Sequence, residues 1–398
     1  MQSATHDELN GPIGRKKNLS VQGWVGINHS YAMVNQYQLL AMLQEPNVQL
    51  AHRQMPLFDS RWSQAKNDSG FIETEQAALA AIPEWTDQTP DAVYRIHSPC
   101  AVGTSIHREI TFMVTELGLD ARNFGPNMDI ATYVEQGNLI VTPSRWSRDR
   151  IIEYGFPASS VYVVPHGVDP AKFKPLLPDE RRRARESLGY RDDDVVFLNV
   201  GAPIWNKGMD IILQAFFNLR QTHKNARLLI KDQQSLYGLS AVEMIRDLAG
   251  RGVITIDNDS VESIRVLPNT ISLAQLSSLY NVADCYLSPY RAEGFNLPVI
   301  EAIACGTPVI VTEGGATDDF CNDYVGHKVP GRKVTNSVIN DTKIGAYIDP
   351  DRDELLQRMQ HVAENGSGRD GRAFAFGRTT LLQQFSWGRA AKELIALI

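Results

Sequence analysis

Short runs of β-branched and aliphatic residues alternate with amphipathic runs of helical period along nearly the whole chain, and that alternation does most to narrow the fold. A β-rich run, a helix-length segment and another β-rich run are most simply joined by a crossover. Neighbouring strands then lie parallel, with helices over the sheet faces. In the first half, strands are expected at Val21–Val25, Val48–His52, Ala92–His97, Ile110–Thr115, Leu139–Thr142 and Val161–Val164. Helices fit Tyr31–Leu43, Glu73–Ala81 and Trp146–Tyr154, while the long polar segment Gln54–Gly70 reads as a loop that meets substrate. A proline-punctuated break at Phe173–Pro178 precedes a charged helix, Asp179–Leu188. The alternation then restarts with strands at Val195–Val200, Ala226–Lys231, Val253–Ile256, Cys285–Leu287 and Pro308–Thr312. Its helices are Gly208–Thr222, Ser240–Arg251, Leu273–Asn281 and Leu297–Cys305. A chain of 398 residues exceeds what one core usually serves. The expectation is an α/β protein with two Rossmann-like doubly wound domains, over 21–175 and 190–380, behind a flexible tail at 1–20.

Charge removes several function classes. Lys and Arg number 39 against 46 Asp and Glu, a net charge of -7, so nothing draws the chain generally to nucleic acid or anionic lipid. The run Arg181–Arg185 (RRRAR) is matched by Glu180, Glu186 and Asp192–Asp194 nearby and reads as a solvated helix face. Asp192–Asp194 stands before a strand, the wrong end for a site, and reads as a solvated turn. Cys100, Cys285, Cys305 and Cys321 show no metal-ligand spacing and are expected as buried thiols in a reducing compartment. The opening MQSATHDELNGPIGRKKNLS has no apolar core, which argues against a secretory signal. Leu297–Thr312, the most apolar stretch, is interrupted by Glu301, two prolines and Gly306 and cannot span a bilayer. A cytoplasmic protein is expected, with peripheral membrane contact left open.

The chemistry concentrates in Ser288–Thr312, SPYRAEGFNLPVIEAIACGTPVIVT. A strand ends near Leu287, where open α/β sheets bind ligands beyond their carboxyl edge. A turn with Gly294 follows, then a helix with Pro298 in its first turn, a favoured start position. The free amides of Phe295, Asn296 and Leu297 would point at one spot backed by the helix dipole, an arrangement suited to phosphate. Glu293 and Glu301 bracket that spot, one on each side of a bound anion. In Val195–Asp210, VVFLNVGAPIWNKGMD, a buried strand ends at Gly201 and Lys207 enters the next helix beside Gly208, a compact cation for a diphosphate.

The acid pair and its spacing resemble the donor signature of glycosyltransferase family four, retaining enzymes of the GT-B fold whose two domains face across a cleft. The resemblance spans roughly residues 20–398. It implies Glu293 at the hydroxyls of the transferred sugar and Glu301 at the ribose. Gly294 and the amides of Phe295, Asn296 and Leu297 would hold phosphate and sugar oxygens, with Lys207 on the diphosphate. The family often has glycine where this chain has Asn296, and many members have arginine where it has Ala202. Arg291 is expected as the substitute cation. Leu139–Pro175 resembles the end of the family's amino-terminal domain. His166 in its PHGVD turn is a substrate contact or, preferably, a hinge. His97 resembles a catalytic-cleft histidine, while Gly26 and Ser30 occupy the place of the acceptor loop. Glu116 falls at a strand end on the acceptor side, and Phe385–Ile398 looks like the terminal helix that returns to the first domain.

The implied reaction is transfer of a hexose from a nucleotide diphosphate sugar, with UDP-glucose the first guess, to a glycan or other hydroxyl acceptor in polysaccharide assembly. Retention by same-face substitution, without metal or other cofactor, is expected. A nucleotide-sugar epimerase or phosphorylase, or a non-catalytic nucleotide-sugar sensor or scaffold, are the alternatives. No G-x-G-x-x-G follows an early strand, so a dehydrogenase is the weakest reading.

Overall fold

A computed structural model describes residues 15–398 apart from 58, 60, 61, 64–67, 86, 87, 99, 101–104, 121, 122, 125–127, 340 and 341. Two six-stranded parallel sheets make up its framework, each covered by helices. The first contains β1 (Lys17–Gly23), β2 (Val48–Gln54), β3 (Ala92–Ile96), β4 (Glu109–Phe112), β5 (Leu139–Thr142) and β6 (Val161–Val163), in the order β2-β1-β3-β4-β5-β6. The second contains β7 (Val195–Val200), β8 (Ala226–Lys231), β9 (Ile264–Leu267), β10 (Cys285–Ser288), β11 (Val309–Thr312) and β12 (Gly326–Val329), in the order β12-β11-β10-β7-β8-β9. In each, the strand order reverses direction once: between β1 and β3, and between β7 and β10. Loops at such a switch point diverge to opposite faces and leave a crevice at the carboxyl edge.

Burial accounts for why these runs became strands. Every residue of β3, β4, β10 and β11 is buried, as expected of central parallel strands covered on both faces. β1 begins at Lys17, inside the stretch expected as tail, because Leu19 and Val21 alternate into the core. Residues 1–14 of that tail lie outside the described residues.

Val253–Ile256 is not a strand. The Val253 amide bonds the Leu248 carbonyl and closes the preceding helix, leaving Val253 and Ile256 exposed. The edge strand is Ile264–Leu267, which pairs with β8. Beyond β12, an antiparallel hairpin of β13 (Gly331–Ile339) and β14 (Thr342–Pro350) adds an element that no expected run anticipated.

The basic helix, observed at Pro178–Ser187, is not merely a solvated face. Arg185 is buried and donates to the carbonyls of Val282 and Asp194 and to the Asp284 carboxylate. Arg181 donates to the Asn281 carbonyl and to Asp284. Asp194 is likewise buried, paired with Arg227 at 3.0 Å rather than solvated. These cations satisfy carbonyls at the end of the helix Leu273–Val282 and just ahead of β7, and are structural.

The last helix, Trp387–Ala396, packs on Ser30–Met42 of the first half, with Trp387 stacked on Tyr37 at 4.8 Å. All four cysteines are buried and unpaired. Among the described residues no helix is long and apolar enough to cross a membrane.

Candidate active site

The loops leaving β7 and β10, at the second sheet's switch point, build one wall of a cavity of about 620 Å³. From β7 the chain turns at Gly201 and enters a short 3₁₀ turn, Trp205–Lys207. Gly208 follows in the left-handed region (φ +73°), and a Cβ there would lie 2.1 Å from the Pro289 carbonyl oxygen. Only glycine lets this turn rest on the β10 loop. The Asn206 carbonyl then accepts the Arg291 and Ala292 amides at 2.7 and 3.2 Å, which locks the two loops together.

Out of β10 come Glu293 and Gly294, which lie against the first half. A Cβ on Gly294 would meet Val114 Cγ2 at 2.1 Å, and Ser144 Oγ donates to the Gly294 carbonyl at 2.6 Å. Asn296 caps the helix Leu297–Ala304 in the left-handed conformation (φ 77°, ψ 66°), the only described non-glycine residue with positive φ. That geometry explains why glycine serves at this position. Asparagine is among the few side chains that tolerate it, and its amide donates to Ser288 Oγ at 2.9 Å. Among the described residues the amides of Phe295, Asn296 and Leu297 make no hydrogen bond. They leave the helix start free to receive an anion.

Charge at the site is tightly organised. Lys207 Nζ donates to Glu293 Oε1 at 2.5 Å and lies 3.9 Å from Glu116 Oε1, a residue of the first half. Burial works against the Lys207 ammonium, but Glu293 and Glu116 outweigh it and raise its pKa above the ordinary lysine value. Burial pushes the Glu116 carboxyl up to about 7, with Glu293 adding to the rise and Lys207 opposing it. Asn206 Nδ2 donates to Glu116 Oε2 at 2.5 Å, so Glu116 bridges the halves. Glu301, on the second turn of the helix, is buried and also pushed up to about 7 by desolvation, which the Tyr280 hydroxyl, donating at 2.8 Å, only partly offsets.

Most residues singled out in the sequence meet here. Lys207, Glu293, Gly294, Phe295, Asn296, Leu297 and Glu301 line the cavity from the second half; Ser30, Glu116 and His166 line it from the first. The His166 ring packs between Phe295 (4.9 Å) and Trp387 (5.6 Å), and burial pushes it down to about 3, so it is neutral at physiological pH.

Three do not line it. His97 is buried beyond the end of β3, and its neighbour Ser98, where the chain bends, reaches the cavity instead. Gly26 shapes the loop after β1, its amide bonded to Gln36 Oε1 at 3.0 Å, and Asn28 and His29 reach the wall. Arg291 is buried and committed: both guanidinium ends donate to Asp210 at 2.8 Å, with Trp205 beneath it. It braces the Lys207 loop and is not a substitute cation facing the cavity.

Sequence reasoning missed Lys231, Tyr280, Tyr237 and His29. Lys231 ends β8 and lines the cavity, so the strand-end rule already applied to Lys207 would have found it. His29 caps Ser30–Met42 by accepting the Tyr31 amide, and its ring lies 4.6 Å from that of Trp62. Trp62 Nε1 in turn donates to the Leu236 carbonyl across the cleft. Burial lowers His29 to about 4. Among the described residues no group of three or more His, Cys, Asp or Glu side chains is arranged to hold a metal ion.

Comparison with known proteins follows the same lines. Residues 194–364, which include Lys207, Lys231, Glu293 and Glu301, match the family Glycosyl transferases group 1. A D-inositol 3-phosphate glycosyltransferase of Geodermatophilus obscurus is 29% identical over 69% of this chain and 57% of its own length. The chain spans about half the length of the curated relatives it matches, between 42% and 57%. Among solved structures, a glycosyltransferase from Rickettsia africae superposes with a TM-score of 0.68 over 96% of this chain and 97% of that one, at 13% identity. Anabaena Alr3699/HepE in complex with UDP-glucose gives 0.64 over 95% and 98%, at 14% identity. At such identities the likeness is one of fold.

Proposed function

We propose that this chain, which carries a Glycosyl transferases group 1 domain on a two-domain GT-B fold, moves a hexose from a nucleoside diphosphate sugar to a hydroxyl acceptor with retention at the anomeric carbon. One observation carries the reading. A helix start with free amides, a lysine, and two carboxylates one helical turn or more apart face a single cavity at a switch point. A diphosphate on the amides and Lys207 would leave the sugar at Glu293 and the ribose at Glu301. UDP-glucose is the donor put first, which the complex of Alr3699/HepE supports by analogy. The acceptor side offers aromatic faces from Tyr31 and Phe112 and polar groups from Ser30, Thr115 and Glu116. Such a surface suits a sugar or cyclitol ring, and the name of the inositol-phosphate-using relatives points the same way.

In the mechanism, the bond between the anomeric carbon and the phosphate oxygen breaks while the acceptor oxygen approaches on the same face. Lys207 and the helix amides meet the charge that develops on the leaving diphosphate, and preorganised groups of this kind stabilise a transition state strongly. The departing phosphate oxygen takes the acceptor's proton, so atoms and charge balance without a covalent enzyme intermediate. Glu293, bonded to Lys207, is held for the sugar's hydroxyls and is not free to attack.

The test incubates the protein with UDP-glucose and a panel of sugars and cyclitols, with and without chelator, and follows UDP release and product stereochemistry by NMR. An α-linked product formed equally well in chelator is expected. A β-linked product, or turnover that disappears with chelator and returns with magnesium, would overturn the same-face, metal-independent reading.

A further inference from the structure

Lys231 lines the cavity but stands outside the charge balance of Lys207, Glu293 and Glu116. It ends β8 in register with Val200, and its carbonyl accepts the Gly201 amide at 3.0 Å. The lysine therefore stands beside the Gly201–Ala202 turn, on the strand next to the one that leads to Lys207. A Cβ on Gly201 would touch Lys207 Cδ at 3.4 Å, so Gly201 has Lys207 on one side and the Lys231 strand on the other. Ala202 carries no charge of its own, and Arg291 is committed to Asp210.

The surroundings of the two lysines differ in kind. Lys207 is balanced by Glu293 and Glu116. Lys231 is 3% exposed and donates to the carbonyl of Asp232, while the Asp232 carboxylate accepts the Ala241 amide at 3.1 Å. Among the described residues Lys231 forms no ion pair. A buried ammonium held by a single carbonyl is costly, because desolvation is only partly compensated. Burial accordingly pushes its pKa down to about 8, against the pull of Asp232. The cost is offset when an anion shares the cavity, since each charge then serves as the other's counter-ion.

We propose that Lys231 is a second cation for the donor's diphosphate, placed on the strand beside the uncharged Ala202 turn. The assignment rests on the nucleotide-sugar reading above and deepens it. It makes Lys231 a binding residue for phosphate oxygens, with no part in recognition of base or ribose.

Calorimetric titration of the full chain and of Lys231→Met and Lys231→Arg with UDP, UMP, uridine and inorganic pyrophosphate tests it. Met keeps the length of the side chain and removes the charge. Hydrogen bonds to charged groups are strong enough that Lys231→Met should bind UDP and pyrophosphate roughly 10- to 100-fold more weakly. Uridine affinity should be unchanged, and Lys231→Arg should retain most of the UDP affinity. The unfolding temperature of Lys231→Met without ligand should equal or exceed that of the native chain, because an unbalanced buried charge has gone. Native-like UDP affinity in Lys231→Met overturns the proposal and leaves the nucleotide-sugar reading standing. Equal losses for UDP and uridine with a lowered unfolding temperature overturn it too, by making Lys231 structural. A native chain that binds neither nucleoside diphosphate nor pyrophosphate overturns both.

Discussion

Lys207 holds Glu293 at 2.5 Å and Glu116 at 3.9 Å, so three charges from three different loops share one balance. Lys207→Ala should lower turnover roughly 100- to 1000-fold, because the interaction it loses grows as the phosphate leaves. Glu293→Gln should lower transfer while leaving affinity for bare UDP nearly native. The two effects should not add, since each change also releases the other's partner. Initial rates and calorimetry on both single variants and the double variant check this; a fully active Lys207→Ala would reassign the site.

Glu301 gives a pH-dependent prediction. Its carboxyl is raised from 4.5 to about 7, chiefly by burial, so the fold favours the protonated form. That preference is fully present below pH 4.5 and is lost as pH rises through about 7, at a cost of up to about 3 kcal/mol. Glu301→Gln removes the penalty while its carbonyl can still accept from Tyr280. Its unfolding temperature should exceed the native one at pH 8 and match it near pH 4.5. Its affinity for UDP should fall if the carboxylate holds the ribose. Thermal melts at the two pH values decide the first point and titration with UDP the second.

Among the elements, the helix Leu297–Ala304 is the one whose start matters most. Pro298 sets the first turn, and Asn296 takes a left-handed conformation that costs most L-residues about 1–2 kcal/mol. The Asn296 side chain bonds Ser288 at the end of β10, so helix and strand are tied at the point where the amides converge. Asn296→Gly should keep stability within about 1 kcal/mol, trading a hydrogen bond for a relaxed backbone. Asn296→Val adds β-branching to a positive φ and loses the bond to Ser288; it should lower stability by about 2 kcal/mol or more and weaken UDP binding. Urea unfolding of the two variants, with UDP titrations alongside, separates these outcomes. The basic helix Pro178–Ser187 shows the opposite balance: a charge-rich element in which Arg181 and Arg185 are committed to the closing carbonyls of the helix Leu273–Val282 and to Asp284.

Across the whole molecule, the halves are joined at several separate places. Trp62 donates to the Leu236 carbonyl, Ser144 to the Gly294 carbonyl, and the Ala346 amide in β14 to the Leu117 carbonyl at 2.8 Å. The final helix adds an apolar bond: Trp387 is buried, stacked on Tyr37 and beside His166. It continues directly from the second half yet packs on the first, so it couples their stabilities. Trp387→Ala should cost about 3–5 kcal/mol, as truncation of a buried aromatic does. Calorimetry should show the first half melting earlier, as a separate transition. A single transition at the native temperature would mean that the contact carries no coupling.

Much of this was set by residue order alone. The alternating period determined two parallel sheets, because a strand-helix-strand run has few ways to close. The rule that ligands gather at the carboxyl ends of such strands then singled out Lys207, Glu293 and Glu301, which do share a cavity. Glycine at 208 and the αL-tolerant asparagine at 296 follow the same local logic. What needed the tertiary structure was the direction and partner of each long side chain. Arg291 and Lys231 both stand near strand ends, but one is committed to Asp210, far away in sequence, while the other lines the cavity. His97 and Ser98 are adjacent, yet only Ser98, at the bend after β3, lines the cavity. The apolar run Val253–Ile256 is not a strand because Val253 closes the preceding helix, and Ile264–Leu267 pairs with β8 instead. Local periodicity reports the conformation that a segment prefers; which charge faces which depends on segments tens of residues apart being brought together, and that is decided only when the core closes.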